Sequence, residues 1–211
     1  MEKLDLLDRP DVEKALNMPK GRDYFMVTYH PVTRGGEDPG REAEAMLKAL
    51  DRFPDHYVVV TGVNADPGRD RIAGLLQDYV AGRTESASLH DSLGQLRYLS
   101  AVKHAAAIIG NSSSGLVEVP AFAVPTINIG DRQKGRLSAR SVIDCAGTVD
   151  AIATAIGRVL EPTFRADLAG MTSPYGAGGA SAKVVRRLKA ADLAALVQKP
   201  FFDIAPERAA S

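Results

Sequence analysis

The segment Gly110–Gly115 (Gly-Asn-Ser-Ser-Ser-Gly) places three hydroxyl side chains between an apolar run and a helical pattern. When a strand turns through Gly and Ser into a helix start, backbone N–H groups and the positive end of the helix dipole point at one place. This arrangement favours a phosphate or diphosphate ligand. Ser and Asn are also ordinary N-cap residues, so helix capping is the alternative interpretation. Leu116 and Val117 follow where a Walker loop has Lys and Ser or Thr, so the segment is not a Walker loop.

Glu118 lies on the first turn of the helix that follows this loop, between Val117 and Val119. A carboxylate there can accept two hydrogen bonds from the hydroxyl pair of a ribose, which suits a nucleotide whose phosphates lie on the serine loop. The alternative is a side chain that serves only the helix, as a dipole partner or as the acid of a capping box. The sequence alone does not separate these two roles.

His30 and Asn64 each come just after a short apolar run, and Pro31 stiffens the chain after the histidine. A histidine can meet a phosphate as a cation or transfer a proton near neutral pH. The alternative is a histidine that is simply hydrogen-bonded in a loop. Asn64 is a weaker candidate on the same reasoning. The remaining histidines lack such placement, and no group of His, Cys or acidic residues has the spacing of metal ligands, so we expect no metal site.

Asp131–Arg136 (Asp-Arg-Gln-Lys-Gly-Arg) follows the apolar run Val124–Ile129. Its cations, with the glutamine, predict a clamp that holds phosphates from the side opposite the serine loop. A solvated run of charges is the alternative. Gly176–Ser181 has the glycines of a dinucleotide fingerprint, but Pro174 and Tyr175 precede it where a strand is required, so we do not assign it that role.

The elements that must position these groups alternate along the chain. Apolar or β-branched runs predict strands at Tyr24–Tyr29, Tyr57–Thr61, Ser86–His90, Ala105–Ile109, Val124–Ile129 and Ser141–Asp144. Helical spacing and start signals predict helices at Asp11–Leu16, Arg41–Leu50, Asp70–Val80, Gly94–His104, Gly115–Phe122, Asp150–Leu160 and Ser181–Gln198.

Continuous apolar strands that alternate with helices indicate a parallel sheet covered on both faces. Right-handed crossovers then make this a doubly wound, Rossmann-like α/β domain. In such a sheet ligands bind beyond the carboxyl ends of the strands, where the candidate side chains lie. We expect one nucleotide-binding domain over residues 1–198, with a short N-terminal helix and a trailing C-terminal helix, and a disordered tail at 199–211.

Composition narrows the class of protein. The chain has 211 residues, 26 acidic and 26 basic side chains, and 45% hydrophobic residues, enough to build a core without disulfides. The balanced charge argues against a strongly basic nucleic-acid binder. A single cysteine, Cys145, fits a reducing compartment. With no apolar run near the roughly 18 residues of a membrane span and no apolar leader, we expect a cytoplasmic protein without nucleic-acid or membrane partners.

Several motifs together resemble the hydrolysing UDP-N-acetylglucosamine 2-epimerases. In order they are HPVT (His30–Thr33), GNSSSGLVEVPAF (Gly110–Phe122), PTINIGDRQKGRL (Pro125–Leu137), SVIDC (Ser141–Cys145) and PYGAGGAS (Pro174–Ser181). The likeness runs over about Leu4–Leu193. The non-hydrolysing branch has His-Arg where this chain has His30-Pro31, and an Asp-Ser-Gly-Gly loop in place of Asn-Ser-Ser-Ser-Gly, so the hydrolysing branch fits better.

The resemblance implies the carboxyl-terminal, nucleotide-holding half of a glycosyltransferase-B-like fold. It implies UDP-binding positions at His30, Asn64, Leu93, Ser112, Ser113, Glu118 and Arg132. The two serines would bind the diphosphate at the helix start, and the glutamate would bind the ribose hydroxyls. His30 and Arg132 would approach the diphosphate from the side, and Leu93 would offer its backbone to the uracil. His30 is also the candidate catalytic residue, and no cofactor is implied.

The reaction of that family eliminates UDP from UDP-N-acetylglucosamine to give a 2-acetamidoglucal. Water then adds to give N-acetylmannosamine, a sialic acid precursor. Cations and amide dipoles suit this step because charge develops on the leaving diphosphate. The proton-transferring carboxylates of the family lie in an amino-terminal domain that we expect to be missing from this chain. We therefore expect the chain to bind UDP weakly without turning over substrate, and the intact enzyme to be a homo-oligomer.

Three other functions stay open at this point. The epimerase could act on UDP-N,N'-diacetylbacillosamine, the domain could be the donor-nucleotide half of a sugar transferase, or it could be a non-enzymatic UDP-binding module. The terminal helix carries an apolar stripe (Val184, Val185, Leu188, Leu193). If exposed, that stripe favours an interface with a partner domain over a self-contained module. Core packing is the alternative reason for helical periodicity.

Overall fold

A computed structural model describes residues 4–32, 38, 40–176 and 178–197. The chain divides into two compact units, 1–177 and 178–211, and the first contains all of the predicted site residues. The predicted tail at 199–211 lies outside the described residues, as does Thr33 of the first motif. None of the helices in the described ranges combines the length and apolarity needed to cross a bilayer.

Six parallel strands form one sheet in the order β3-β2-β1-β4-β5-β6. Their bounds are β1 Tyr24–Thr28, β2 Tyr57–Thr61, β3 Ala87–His90, β4 Ala107–Gly110, β5 Thr126–Ile129 and β6 Val142–Cys145. All five residues of both β1 and β2 are buried, which explains why these strands read as continuous apolar runs. The predicted doubly wound parallel sheet is confirmed.

Helices cover both faces of this sheet. In the described residues they are α1 Arg9–Ala15, α2 Arg41–Leu50, α3 Arg69–Ala81, α4 Gly94–His104, α5 Ser114–Val117, α6 Val149–Leu160, α7 Pro162–Asp167, α8 Ala180–Lys189 and α9 Leu193–Val197, with a 3-10 helix at Val119–Phe122. The last two helices belong to the second unit. The predicted helices of the sheet domain are therefore present, and α7 is an addition that begins at Pro162, a favoured first helical residue.

Two apolar clusters hold the helices to the sheet. On one face, side chains of α2, α3 and α6 such as Met46, Ile72 and Ile152 pack against the strands. On the other face, α1 and α4 contribute Val12 and Val102. Each fully buried side chain of this size contributes about 1.5–3 kcal/mol relative to exposure, so the sheet is a rigid platform for the loops at its edges.

The helix predicted over Gly115–Phe122 is wrong in its continuity. The structure has one α-helical turn, Ser114–Val117, followed by the 3-10 helix Val119–Phe122. Pro120 explains the break, because it has no N–H to donate and disfavours the α conformation in the residue before it. Glu118 therefore lies at the junction of the two short helices, not within one longer helix.

The helix predicted over Ser181–Gln198 is likewise interrupted. Helix α8 ends at Lys189 and α9 begins at Leu193, directly after Asp192, a residue type that favours helix starts. Gln198 lies outside the described residues. The apolar stripe of this segment is exposed, with relative exposures from 49% at Val185 to 68% at Leu193, so packing in the core does not account for it.

The order of the strands locates the crevice of the sheet. Strand β1 pairs with β2 on one side and with β4 on the other, so the direction of strand succession reverses between β1 and β4. Ligands of open α/β sheets bind above the carboxyl ends of the strands at such a switch point. His30 follows β1 and Asn111 follows β4, so the first structural expectation for the site is met at the level of topology.

Gly110 permits β4 to end close against β1. Its φ is +141°, and a Cβ at this position would overlap the carbonyl oxygen of Thr28. We expect Gly110→Ala to lower the free energy of unfolding by at least about 2 kcal/mol in urea titrations followed by circular dichroism.

Gly157→Ala is the matched control for this substitution. Gly157 lies in α6 with no heavy atom within 4 Å of an added Cβ, so alanine should stabilise the protein by about 0.5–1 kcal/mol. Equal unfolding midpoints for the two variants would contradict the proposed constraint on β4.

Candidate functional site

The buried side chain of Asn111 joins the ends of the two central strands. Its Oδ1 accepts a hydrogen bond from the backbone N–H of His30 at 2.8 Å, and its Nδ2 donates to the carbonyl oxygen of His30 at 2.8 Å. The side chain is fully shielded from solvent. Because one amide satisfies both backbone groups of the histidine, the exits of β1 and β4 are held at a fixed separation.

The main chain of Asn111 holds the turn that follows β5. Its carbonyl oxygen accepts hydrogen bonds from Arg132 Nη1 at 3.2 Å and from Gln133 Nε2 at 2.8 Å. The glutamine is 3% exposed, so its amide belongs to the structure and not to a solvated run of charges. The predicted clamp turn thus lies beside the serine loop and the histidine.

The His30 imidazole is oriented by the loop after β2. Its Nδ1 accepts a hydrogen bond from the backbone N–H of Asn64 at 3.3 Å. Burial lowers the pKa of His30 below its usual value and the nearby Arg132 cation lowers it further, while Asp66 opposes them. The ring is therefore neutral at neutral pH, with its proton on Nε2, where it can donate a hydrogen bond to an anion.

Asn64 is fixed by a neighbour and keeps one unused acceptor. Its Nδ2 donates to Asp66 Oδ2 at 2.5 Å. Its Oδ1 is buried and has no hydrogen-bond partner among the described residues. Buried polar atoms are normally paired, so this oxygen is available to a group that arrives from outside the protein.

The exit of β5 is shaped by a carboxylate from α2. Tyr29 donates its hydroxyl proton to Glu42 Oε2 at 2.6 Å. A Cβ on Gly130 would lie 2.9 Å from the same oxygen, and Gly130 has a φ of +70°. The glycine therefore allows the chain to turn tightly against Glu42 and to direct the following Arg132 back toward Asn111.

A cavity of about 410 Å³ opens at the same edge of the sheet. Three predicted residues, Leu93, Ser112 and Glu118, line it. The other lining residues are Thr28, Thr61, Asp91, Ser92, Gly94, Gln95, Tyr98, Leu99 and Ser114. No Lys, Arg or His lines the cavity, while two carboxylates do. The cavity therefore suits a neutral group rich in hydrogen-bond donors better than it suits a phosphate.

The serine loop offers hydroxyl groups more than a helix dipole. Helix α5 has only four residues, and a single turn develops little of the dipole of a long helix. Ser113 occupies the N-cap position but makes no capping hydrogen bond with its side chain, so the capping interpretation does not explain it. Ser112 Oγ accepts a long hydrogen bond of 3.4 Å from Ser114 N. Tyr98, a cavity residue, donates to Ser114 Oγ at 2.8 Å.

The structure thus brings the sequence-predicted residues into two adjoining groups. Leu93, Ser112 and Glu118 line the cavity, while His30, Asn64 and Arg132 converge on Asn111 and Ser113 continues the serine loop. The anchoring roles of Asn111 and Gln133 and the cavity position of Tyr98 were missed. For the first two, a polar residue directly after a predicted strand was the available signal; for Tyr98 no local signal exists.

Metal ligation finds no support in the part of the chain that the structure describes, where no three His, Cys, Asp or Glu side chains are grouped to hold a metal ion. The other histidines serve the fold. His56 stacks on Phe25 with ring centroids 4.4 Å apart, and Nε2 of His104 lies 3.2 Å from the carbonyl oxygen of Leu7.

Comparison with known sequences identifies relatives. The family described as UDP-N-acetylglucosamine 2-epimerase matches residues 1–189. The chain is 42% identical over 144 residues to the GDP/UDP-N,N'-diacetylbacillosamine 2-epimerase (hydrolyzing) of Campylobacter jejuni, covering 68% of this chain and 38% of the relative. It is 34% identical over 171 residues to the polysialic acid biosynthesis protein P7 of Escherichia coli, covering 79% and 42%. The chain thus spans about two fifths of the length of these curated relatives.

Solved structures share the fold. The UDP-GlcNAc 2-epimerase from Neisseria meningitidis bound to UDP-GlcNAc superposes with a TM-score of 0.67 at 17% identity, covering 86% of this chain and 48% of that chain. The S. aureus MnaA–UDP co-structure superposes with a TM-score of 0.65 at 19% identity, covering 93% and 51%. At these identities the likeness shows the fold, and the expected half of a glycosyltransferase-B-like architecture is confirmed.

The neutral state of His30 is a testable property of the site. Because burial and Arg132 lower its pKa, titration of the ring protons by NMR should give a midpoint below 6.5 in the native chain. Arg132→Ala should raise the pKa of His30, since a nearby cation disfavours the imidazolium. Asp66→Asn should lower it further, since a nearby anion favours it.

Arg136→Ala is the matched control, because Arg136 is an exposed cation of the same turn that does not contribute to the shift of His30. It should leave the titration of His30 unchanged. An Arg132→Ala curve that coincides with the native curve would contradict the placement of Arg132 beside the histidine.

Proposed function

The chain belongs to the UDP-N-acetylglucosamine 2-epimerase family, and we propose that it forms the nucleotide-holding part of a hydrolysing 2-epimerase that releases UDP from a UDP-sugar. One observation carries the proposal: a cation-free cavity that contains Glu118 adjoins a cluster that contains His30 and Arg132, and the segment Asn111–Ser112 connects them. Nucleoside and diphosphate differ in charge in the same way.

The nucleoside occupies the cavity in this proposal. Glu118 accepts hydrogen bonds from the two ribose hydroxyls, and Leu93 offers its backbone to the base. A carboxylate is the natural partner for a diol because it accepts through both oxygens and donates through neither. The absence of a cation from the cavity lining supports a neutral occupant.

The diphosphate leaves the cavity toward Asn111. Ser112 and Ser113 donate hydroxyl protons to it, and Arg132 supplies a positive charge. His30, neutral and protonated on Nε2, donates a further hydrogen bond, and the unpaired Oδ1 of Asn64 faces the incoming ligand's hydrogen-bond donors. These groups are preorganised by the bonds to Asn111, so they stabilise negative charge without rearranging first.

The chemical step is elimination followed by hydration. The bond between the anomeric carbon and the diphosphate oxygen breaks, and its electron pair stays on the leaving UDP, where Arg132 and His30 stabilise it. A base removes the proton from the neighbouring carbon, which gives a 2-acetamidoglucal. Water adds across the double bond to give the 2-epimer. The residues that move these protons belong to a domain outside this chain, and assembly into a homo-oligomer and a cytoplasmic location stay predictions.

A second substrate is favoured by the relatives. The Campylobacter jejuni relative is named for N,N'-diacetylbacillosamine carried on GDP or UDP, and a Legionella pneumophila relative, 26% identical over 165 residues, is named for the UDP form. We therefore keep UDP-N,N'-diacetylbacillosamine as the alternative sugar nucleotide. The cavity and cation cluster contact nucleotide and diphosphate in this proposal, so they serve either sugar equally.

The role of Glu118 is tested by nucleotide affinity. Glu118→Gln keeps the size of the side chain but replaces one acceptor oxygen with a donor, so calorimetric titration should show roughly tenfold weaker binding of UDP. The 2′-deoxy analogue of UDP, which lacks one hydroxyl, should lose much less. Glu161→Gln, at the cap of α7, is the control and should bind UDP like the native chain. If native protein binds neither UDP nor UMP, the proposed nucleotide site is refuted.

Catalysis by the 211-residue chain alone is tested separately. A coupled assay for release of UDP and N-acetylmannosamine from UDP-N-acetylglucosamine should show no turnover, because the proton-transferring residues are not in this proposal's inventory of the chain. A full-length 2-epimerase serves as positive control. Turnover at the rate of the full-length enzyme would refute this division of labour.

A further inference from the structure

The mouth of the cavity is formed by the segment Asp91–Gln95, which carries a carboxylate without a task. Asp91 lines the cavity and is exposed, and it takes part in no ion pair or side-chain hydrogen bond within the described residues. The second cavity carboxylate, Glu118, already serves the ribose in the proposed function. Asp91 is therefore the unassigned charged group at the end of the cavity where α4 begins.

The position of Asp91 is rigid. The N–H of Gly62 donates to the carbonyl oxygen of His90 at 2.9 Å, which binds the segment to the end of β2. A Cβ on Gly62 would overlap the carbonyl oxygen of Asp91, so that carbonyl packs closely onto the glycine. With its carbonyl turned onto Gly62, Asp91 offers the cavity its side chain, and the close packing holds that side chain in place.

The edges of the nucleobases differ in what they offer a carboxylate. Guanine presents two adjacent donors, N1–H and the 2-amino group, which match the two acceptor oxygens of a carboxylate in a bidentate pair. Uracil presents one donor, N3–H, between two carbonyl oxygens that a carboxylate repels. The segment also leaves room for a purine, because a Cβ on Gly94 would meet no heavy atom within 4 Å.

From these observations we propose that the cavity accepts guanine nucleotides, and that Asp91 selects the base by pairing with N1–H and the 2-amino group of guanine. This inference rests on the nucleotide site of the proposed function and deepens it. It identifies a guanosine diphosphate sugar as a substrate class and Asp91 as the residue that determines specificity. The sheet, the ribose contact and the diphosphate cluster are unaffected by the identity of the base.

The ratio of GDP to UDP affinity, measured by calorimetry on the 211-residue chain, tests the proposal. Native protein should bind GDP at least as tightly as UDP, and IDP, which lacks the 2-amino group, should fall between them. Asp91→Ala should lower the ratio roughly tenfold, because one bidentate pair to a base is lost. The ratio is the informative quantity, because removal of a negative charge strengthens the binding of every nucleotide anion alike.

Asp91→Asn provides the sharper variant. An amide presents one donor and one acceptor, which match N3–H and O4 of uracil, so this nearly isosteric change should invert the preference toward UDP. Asp167→Asn, at the end of α7, is the control and should leave the ratio unchanged. Melting curves of each variant confirm that it is folded, and Asp91→Asn keeps the test valid if Asp91→Ala is not.

The outcomes separate the two proposals. If native protein binds UDP but binds GDP at least tenfold more weakly, or if both Asp91 variants retain the native ratio, the base assignment is overturned and the nucleotide site stands. If native protein binds neither nucleotide, both proposals fail. A native preference for GDP that Asp91→Asn inverts supports both.

Discussion

Two hydrogen bonds from the Asn111 amide to the His30 backbone define the site on which everything else depends. They close the gap between β1 and β4, where the strand order reverses and the crevice of the sheet opens. An unpaired buried polar group costs about 1–3 kcal/mol, so neither strand exit can move without losing that amount. The carbonyl oxygen of the same asparagine holds Arg132 and Gln133. Histidine, serine loop and cationic turn therefore share one anchor, and their mutual geometry is set before any ligand arrives.

Charge divides the edge of the sheet into two compartments. The cavity contains carboxylates and hydroxyl groups but no cation, whereas the neighbouring cluster contains Arg132 and a histidine whose pKa is lowered by burial and by that arginine. A nucleoside diphosphate has the complementary division, with a neutral donor-bearing nucleoside and a multiply charged diphosphate. The proposed binding mode follows from this match. The balanced net charge of the whole chain conceals it, because a formal sum of zero says nothing about where the charges lie.

Local sequence signals predicted the elements well where one signal dominated. Continuous apolar runs identified β1 and β2, and Asp8 with Pro10 marked the start of α1, whose N-cap side chain accepts a hydrogen bond from Asp11. They failed where two signals competed. Pro120 interrupts the helix after the serine loop and moves Glu118 to a junction, although the apolar spacing continues through it. Helical periodicity also predicted one terminal helix, and the structure has two, because spacing reports which face is apolar and not whether the backbone turns are continuous.

The sequence by itself determined the class of fold, the edge of the sheet that carries the site and most of the residues there. Each of these follows from local chemistry: strand ends are read from apolar runs, and ligands lie beyond the carboxyl ends of parallel strands. Only the tertiary structure decided which of those residues share a compartment. Strand order brings β4 next to β1 although 78 residues separate Thr28 from Ala107 counted along the chain, of which the sequence pattern carries no trace. The anchoring by Asn111, the neutral state of His30 and the unassigned carboxylate of Asp91 depend on that long-range pairing, since each is a contact between segments that only the folded sheet brings together.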